Sequence, residues 1–232
     1  MKRIYLICLA CVILLSACSW FSKQEPEKTA DELASEGQTY FEDGKYSDAI
    51  KAYAKLGDWY PFSVHAKAAS LQIAEAHYLL EEYDEAVLAY SEYERMHPND
   101  EKVPYVIYQI GMCHFEQIEA IDQDSTATEN ALATFRRLTE QFPDNEYTKK
   151  AQPLMVTCIS DLAAKEMYVG RFYFKSEKYK AALHRFEGVI VKYPDSEFTQ
   201  EALDSIVQCK TLIAAEEAAL ALEAEASTGE EK

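Results

Sequence analysis

The chain of 232 residues is 48% hydrophobic and 27% charged, too apolar to stay disordered and long enough to bury a core as one large domain or as an array of repeats. Its seven glycines include no G-x-G arrangement, which excludes a dinucleotide- or phosphate-cradling loop. With 40 acidic against 23 basic residues and a net charge of −17, it lacks the clustered Lys and Arg that a nucleic-acid backbone requires.

The chain opens on an address. Lys2 and Arg3 precede twelve uncharged residues, 4–15, too few to span a bilayer but suited to the apolar core of a secretory signal. Leu15, Ser16, Ala17 and Cys18 follow, and this resembles the bacterial lipobox. The resemblance implies cleavage before Cys18 and a lipid on that residue, so the membrane is a partner through the N-terminal lipid. Ser19, where aspartate would retain the protein at the inner membrane, implies the periplasmic face of the outer membrane. Loss of residues 1–17 removes two basic residues and takes the net charge from −17 to −19. The expected division is a signal peptide at 1–17 and a lipidated tether at 18–30. N-terminal repeats follow at 31–101 and C-terminal repeats with a long and a capping helix at 102–225, and a disordered acidic tail closes the chain at 226–232. Thr29 and Glu32 have the spacing of a capping box and open the folded part.

From there the chain repeats itself. Ala49, Ala86, Ala131 and Ala182 each have an aromatic four residues on (Tyr53, Tyr90, Phe135, Phe186) and a proline twelve residues on (Pro61, Pro98, Pro143, Pro194). Twelve residues before the alanine stands a small residue in three copies: Gly37, Ala74 and Gly170. Gly111 lies 20 before Ala131, so eight residues are inserted around 121–126. Small residues let two helices approach closely, the aromatic fills the space beside them, and the proline stops the second helix. This helix–turn–helix unit resembles the tetratricopeptide repeat, which implies an all-α superhelix of helical hairpins, an α-solenoid. The 27 residues from Pro143 to Gly170, against 13 in earlier copies, predict one long helix over 147–175, kinked or started at Pro153. A last alanine-rich helix from 197 to about 225 caps the array.

Little here suggests catalysis. The five histidines lack the spacing of a metal site, no G-x-S-x-G is present, and neither an enzyme nor a cofactor is expected. Cys113, Cys158 and Cys209 each lie 15 residues after a proline and read as small core residues, not as a disulfide.

Arrays of the resembled kind bind chains along the first helix of each pair. The residues four beyond each small residue are Phe41, Tyr78, Phe115 and Phe174, which are either groove aromatics or packing between helices. Phe41, Glu75, Tyr78, Tyr108 and Phe115 form the expected peptide-binding set. The segment 163–193 carries seven basic and three acidic residues, and Arg171, Lys175 and Arg185 are expected to converge as a face for an acidic partner.

A lipobox, four to five such repeats and one over-long helix together resemble the BamD family of outer-membrane-protein assembly lipoproteins, also called ComL or YfiO type. The stretches that carry this lie at 142–148, 168–174, 179–189 and 193–197. The resemblance implies a BamA-like β-barrel insertase with POTRA domains as partner, together with other Bam lipoproteins. It also implies recognition of unfolded outer-membrane proteins by the N-terminal repeats. A secretin-pilotin or pilus-assembly lipoprotein, and a periplasmic adaptor for cell-wall enzymes, remain alternatives.

Overall fold

Thr29 opens the first helix as its spacing requires. Its Oγ1 accepts from the Glu32 amide at 3.2 Å, and the Glu32 carboxylate accepts from the Thr29 amide at 2.8 Å, so both members of a capping box are in place. The structure is a computed structural model that describes residues 27–120 and 123–229. The signal segment, Cys18 and the tether up to residue 26 lie outside the described residues. Within them the chain forms helices α1 (Ala30–Glu42), α2 (Tyr46–Trp59), α3 (Ala66–Leu79), α4 (Tyr83–Met96), α5 (Val103–Phe115), α6 (Thr126–Gln141), α7 (Glu146–Lys175), α8 (Tyr179–Lys192) and α9 (Thr199–Gly229). No strand occurs among the described residues, and the all-α solenoid expectation holds.

Each helix packs on the next along the chain. The spacing of 12 places the four repeat alanines in the core, where Ala49, Ala86, Ala131 and Ala182 are fully buried. The nearest neighbour of each repeat glycine is the aromatic of the same repeat. A Cβ built on Gly37 would meet Tyr53 at 2.5 Å, one on Gly170 would meet Phe186 at 2.5 Å, and one on Gly111 would come still closer to Phe135. The aromatic ring therefore lies directly on the glycine, and the pair is what sets the helix spacing.

Both turn types follow from the repeat. Tyr60, His97, Phe142 and Tyr193 end their helices with amides bonded to the carbonyl four residues back, at 2.8–2.9 Å, and the proline after each cannot continue the helix. The tighter hairpin turn puts Gly44, Glu81 and Glu177 at φ of 73°, 60° and 58°, seven residues after Gly37, Ala74 and Gly170. In each, the following amide bonds back to the carbonyl five residues earlier (Lys45 to Tyr40, Glu82 to His77, Lys178 to Tyr173, at 2.8–3.0 Å), the closure of a Schellman motif.

The long helix begins one residue before the expected 147 and ends at Lys175, with Pro153 inside it. Its first half packs with α6 in one core cluster, and its second half packs with α8 and α9 in another. Val156 and Val207 stand 13 residues after Pro143 and Pro194, where Ala74 and Gly111 stand in earlier copies. They are 67% and 65% exposed because no helix folds back onto them. The inserted connection lies against α7, where the Lys165 ammonium donates to the Gln123 carbonyl. The last helix runs past 225 to Gly229, so residues 226–229 of the expected disordered tail are helical. The alanine- and glutamate-rich sequence before them has high intrinsic helix propensity and propagates the helix. No helix of the described residues is long and apolar enough to cross a membrane.

Candidate peptide groove and docking face

Contacts between non-consecutive helices join α1 to α3 and α5 to α7, so the members of each pair share one side of the array. Phe41 and Tyr78 sit near the ends of two of them and are half-buried. Each meets the first residue of the next helix edge-on, Phe41 with Tyr46 at 5.3 Å and Tyr78 with Tyr83 at 5.7 Å between ring centroids. Phe174 repeats this with Tyr179 at 5.5 Å. These aromatics clasp their own hairpin turns over the Schellman closures. Burial raises the Tyr78 hydroxyl to about 12, so it stays a neutral donor at physiological pH. Phe115 packs partly buried against the cluster formed by α5, α6 and α7.

The structure does bring Glu75 and Tyr108 into one neighbourhood, through residues that the spacing argument passed over. Glu75 on α3 accepts a hydrogen bond from the Tyr105 hydroxyl of α5 at 3.2 Å. Burial raises the Glu75 carboxyl above the usual carboxylate range, and the Tyr105 bond and the Lys102 charge oppose the rise. The Gln109 amide donates to the Tyr90 hydroxyl at 3.4 Å. One turn before Glu75, the Gln72 Oε1 is buried with no hydrogen-bond partner.

Tyr147 at the start of α7 completes the group. Its ring lies 5.3 Å from Tyr105 and 5.6 Å from Tyr108, and Tyr108 lies 6.0 Å from Phe135. Lys150 covers the Tyr147 ring at 4.6 Å, a cation–π contact. Rings, phenol hydroxyls and one half-buried carboxylate suit an extended peptide, whose amides need acceptors and whose aromatic side chains need faces. Tyr105 and Tyr147 were signalled only by the 16 tyrosines of the chain.

Toward the C-terminus, Arg171 and Arg185 are each engaged by a carboxylate of the chain itself. Arg171 reaches α9 and holds the Glu201 carboxylate through three bonds of 2.7–2.9 Å. Arg185 turns to Glu166 on α7 at 3.2 Å, a carboxylate that Lys192 approaches at 3.8 Å. Lys175 is exposed at the end of α7. Lys180 pairs with Glu217 at 2.7 Å and Lys210 with Glu187 at 3.2 Å. The acidic counterpart of the basic repeat therefore includes α9 itself. The three cysteines are free and buried, and burial raises the thiols of Cys113 and Cys158 to about 12 and 11, which keeps them protonated and unreactive.

The profile of the YfiO family, described as outer membrane lipoproteins, matches residues 26–224. Outer membrane protein assembly factor BamD of Caulobacter vibrioides is 31% identical over 194 residues, covering 83% of this chain and 63% of that protein. The BamD of Neisseria gonorrhoeae is 28% identical over 219 residues, covering 88% of this chain and 82% of that protein. Among solved structures, a tetratricopeptide repeat protein from Parabacteroides merdae aligns with a TM-score of 0.43 at 13% identity, over 83% of this chain and 76% of that one.

Proposed function

This chain belongs to the YfiO family of outer membrane lipoproteins, and on that premise we propose that it is a lipid-anchored periplasmic scaffold for the assembly of outer-membrane β-barrel proteins. Lipid on Cys18 holds it at the membrane. The inner side of the N-terminal repeats, together with α5 and the start of α7 beside them, takes extended, aromatic-rich segments of unfolded barrel proteins, and the later C-terminal helices dock onto a BamA-type insertase with POTRA domains and onto its companion lipoproteins. Recognition here is by binding alone.

One observation carries the groove reading. Glu75 and Tyr105 join across α3 and α5 at 3.2 Å beside the rings of Tyr108 and Tyr147. The half-buried Glu75 carboxylate offers an acceptor to the backbone N–H groups of an extended peptide, and the rings offer faces to its aromatic side chains. The test is affinity isolation of the detergent-extracted lipoprotein, joined to photocrosslinking from position 108. A POTRA-bearing barrel protein in the isolate, and crosslinks to unfolded barrel chains that weaken in Glu75→Gln and Tyr147→Ala, are the expected results. A secretin or a murein hydrolase in place of the barrel protein would overturn the assignment.

A further inference from the structure

The turn after the repeat proline is polar in three of the four copies. Asn99 follows Pro98, Asp144 follows Pro143 and Asp195 follows Pro194, and Glu101, Glu146 and Glu197 stand two residues further on. The first copy has Phe62 and Val64 at these places, after Pro61. Neither finds a core. Phe62 is 100% exposed and Val64 89%, and Trp59 just before them is 48% exposed. Tyr60 between them is spent differently. Its hydroxyl donates to the Lys28 carbonyl at 2.9 Å, and Glu27, Trp59 and Tyr60 line one open cleft. The start of the described chain is thus pinned against this loop. Single exposed apolar residues are ordinary surface, but three large ones within six positions, at a turn that is acidic elsewhere in the same array, mark an interaction site.

We propose that the loop 59–64 seats in the headgroup region of the membrane that the N-terminal lipid enters. The inference rests on lipidation of Cys18. Nine peptide steps separate Cys18 from Glu27, a reach of at most roughly 30 Å when fully extended. The lipid therefore keeps Glu27 and the loop that shares its cleft within that reach of the bilayer, a limit the tether sets on no later turn of the array. Tryptophan and phenylalanine favour the boundary between headgroups and acyl chains. A second contact beside the acyl anchor fixes how the array leans on the membrane, which a flexible tether alone does not. It leaves the later repeats projecting toward the periplasm.

The test uses the mature lipoprotein with Trp20→Phe, which leaves Trp59 as its single tryptophan. It is reconstituted with vesicles of phosphatidylethanolamine and phosphatidylglycerol whose acyl chains are brominated near the headgroup. Flotation with the vesicles reports the lipid anchor, and quenching of Trp59 emission reports the loop. The expected result is flotation together with a blue-shifted, bromine-quenched emission. Adding Phe62→Asp and Val64→Asp should abolish the quenching while flotation and helicity persist. Protein that floats with unquenched Trp59 overturns the seating of the loop, leaves the anchor standing and gives the patch to a protein occupant. Quenching that survives the double substitution also overturns it, because Phe62 and Val64 would then hold nothing. Protein that fails to float overturns the anchor and the proposal together.

Discussion

Gly111 and Gly57 are both helical, and the space beside each decides opposite outcomes for one substitution. A methyl group at Gly111 would overlap the Phe135 ring, whereas nothing lies within 4 Å of the corresponding position at Gly57. Gly111→Ala should therefore destabilise the fold by roughly 1–3 kcal/mol through overpacking, and Gly57→Ala should stabilise it by about 0.5 kcal/mol through helix propensity. Urea denaturation of the two variants checks both signs. A third residue-scale case is Glu177, held at φ 58° where the equivalent turn of the first repeat has Gly44. Glu177→Gly should gain roughly 1 kcal/mol by removing left-handed strain, and a loss of stability would mean that the Glu177 side chain contributes more than its backbone costs. At this scale the sequence was legible wherever a residue type has one structural use. Gly37, Gly111 and Gly170 could be placed at close approaches from spacing alone. The contact they make, a ring resting on a bare Cα, could not, because spacing along one helix says nothing of which neighbour turns its side chain inward.

Helices are joined in this array by a few polar links, and the one at the head of α3 responds to pH. Lys67 donates to Asp100 at 2.6 Å, and Asp100 also accepts from the Lys102 amide at 2.9 Å, so one carboxylate ties α3 to the turn between α4 and α5. The lysine hydrogen bond, then the amide, lower the Asp100 carboxyl from its ordinary 3.8 to about 2. A lowered folded-state pKa stabilises above the unfolded value and ceases to do so as pH falls through the folded one. The contribution is thus complete above pH of about 4 and gone near about 2. Thermal melts of wild type and Asp100→Asn should differ at neutral pH and converge as the pH approaches that lower value. A constant gap would assign the effect to packing. The elements themselves were largely legible, because the proline spacing fixes where helices stop and the long gap before Gly170 fixes α7. The continuation of α9 to Gly229 was not, since the polar composition of Ser227 and Thr228 suggests a tail while helix propagation from the preceding alanines overrides it.

Across the whole molecule the two candidate surfaces share α7, which carries Tyr147 near its start and Arg171 near its end, and their legibility differs for a physical reason. The groove aromatics recur with the repeat, yet Phe41, Tyr78 and Phe174 clasp turns, and the polar cluster centres on Tyr105 and Tyr147, which belong to no repeated position. The basic C-terminal repeat was legible as charge but not as geometry, because the carboxylates that engage Arg171 and Lys180 lie 30 and 37 residues later in the chain. Arg171 and Glu201 make the case testable. Both side chains are about half exposed, so the pair contributes no more than about 1 kcal/mol to stability, and neither Arg171→Ala nor Glu201→Ala should unfold the array. If Arg171 serves a partner, Glu201 competes with that partner's carboxylate for the guanidinium fork. Glu201→Ala should then tighten binding to isolated POTRA domains, Arg171→Ala should weaken it, and the double variant should bind like Arg171→Ala. The gain in Glu201→Ala should shrink as salt is raised, because an exposed charge released from its intramolecular partner is screened. If both single variants and the double variant bind alike at low and high salt, the pair only straps α7 to α9, and docking must use another face of the C-terminal repeats.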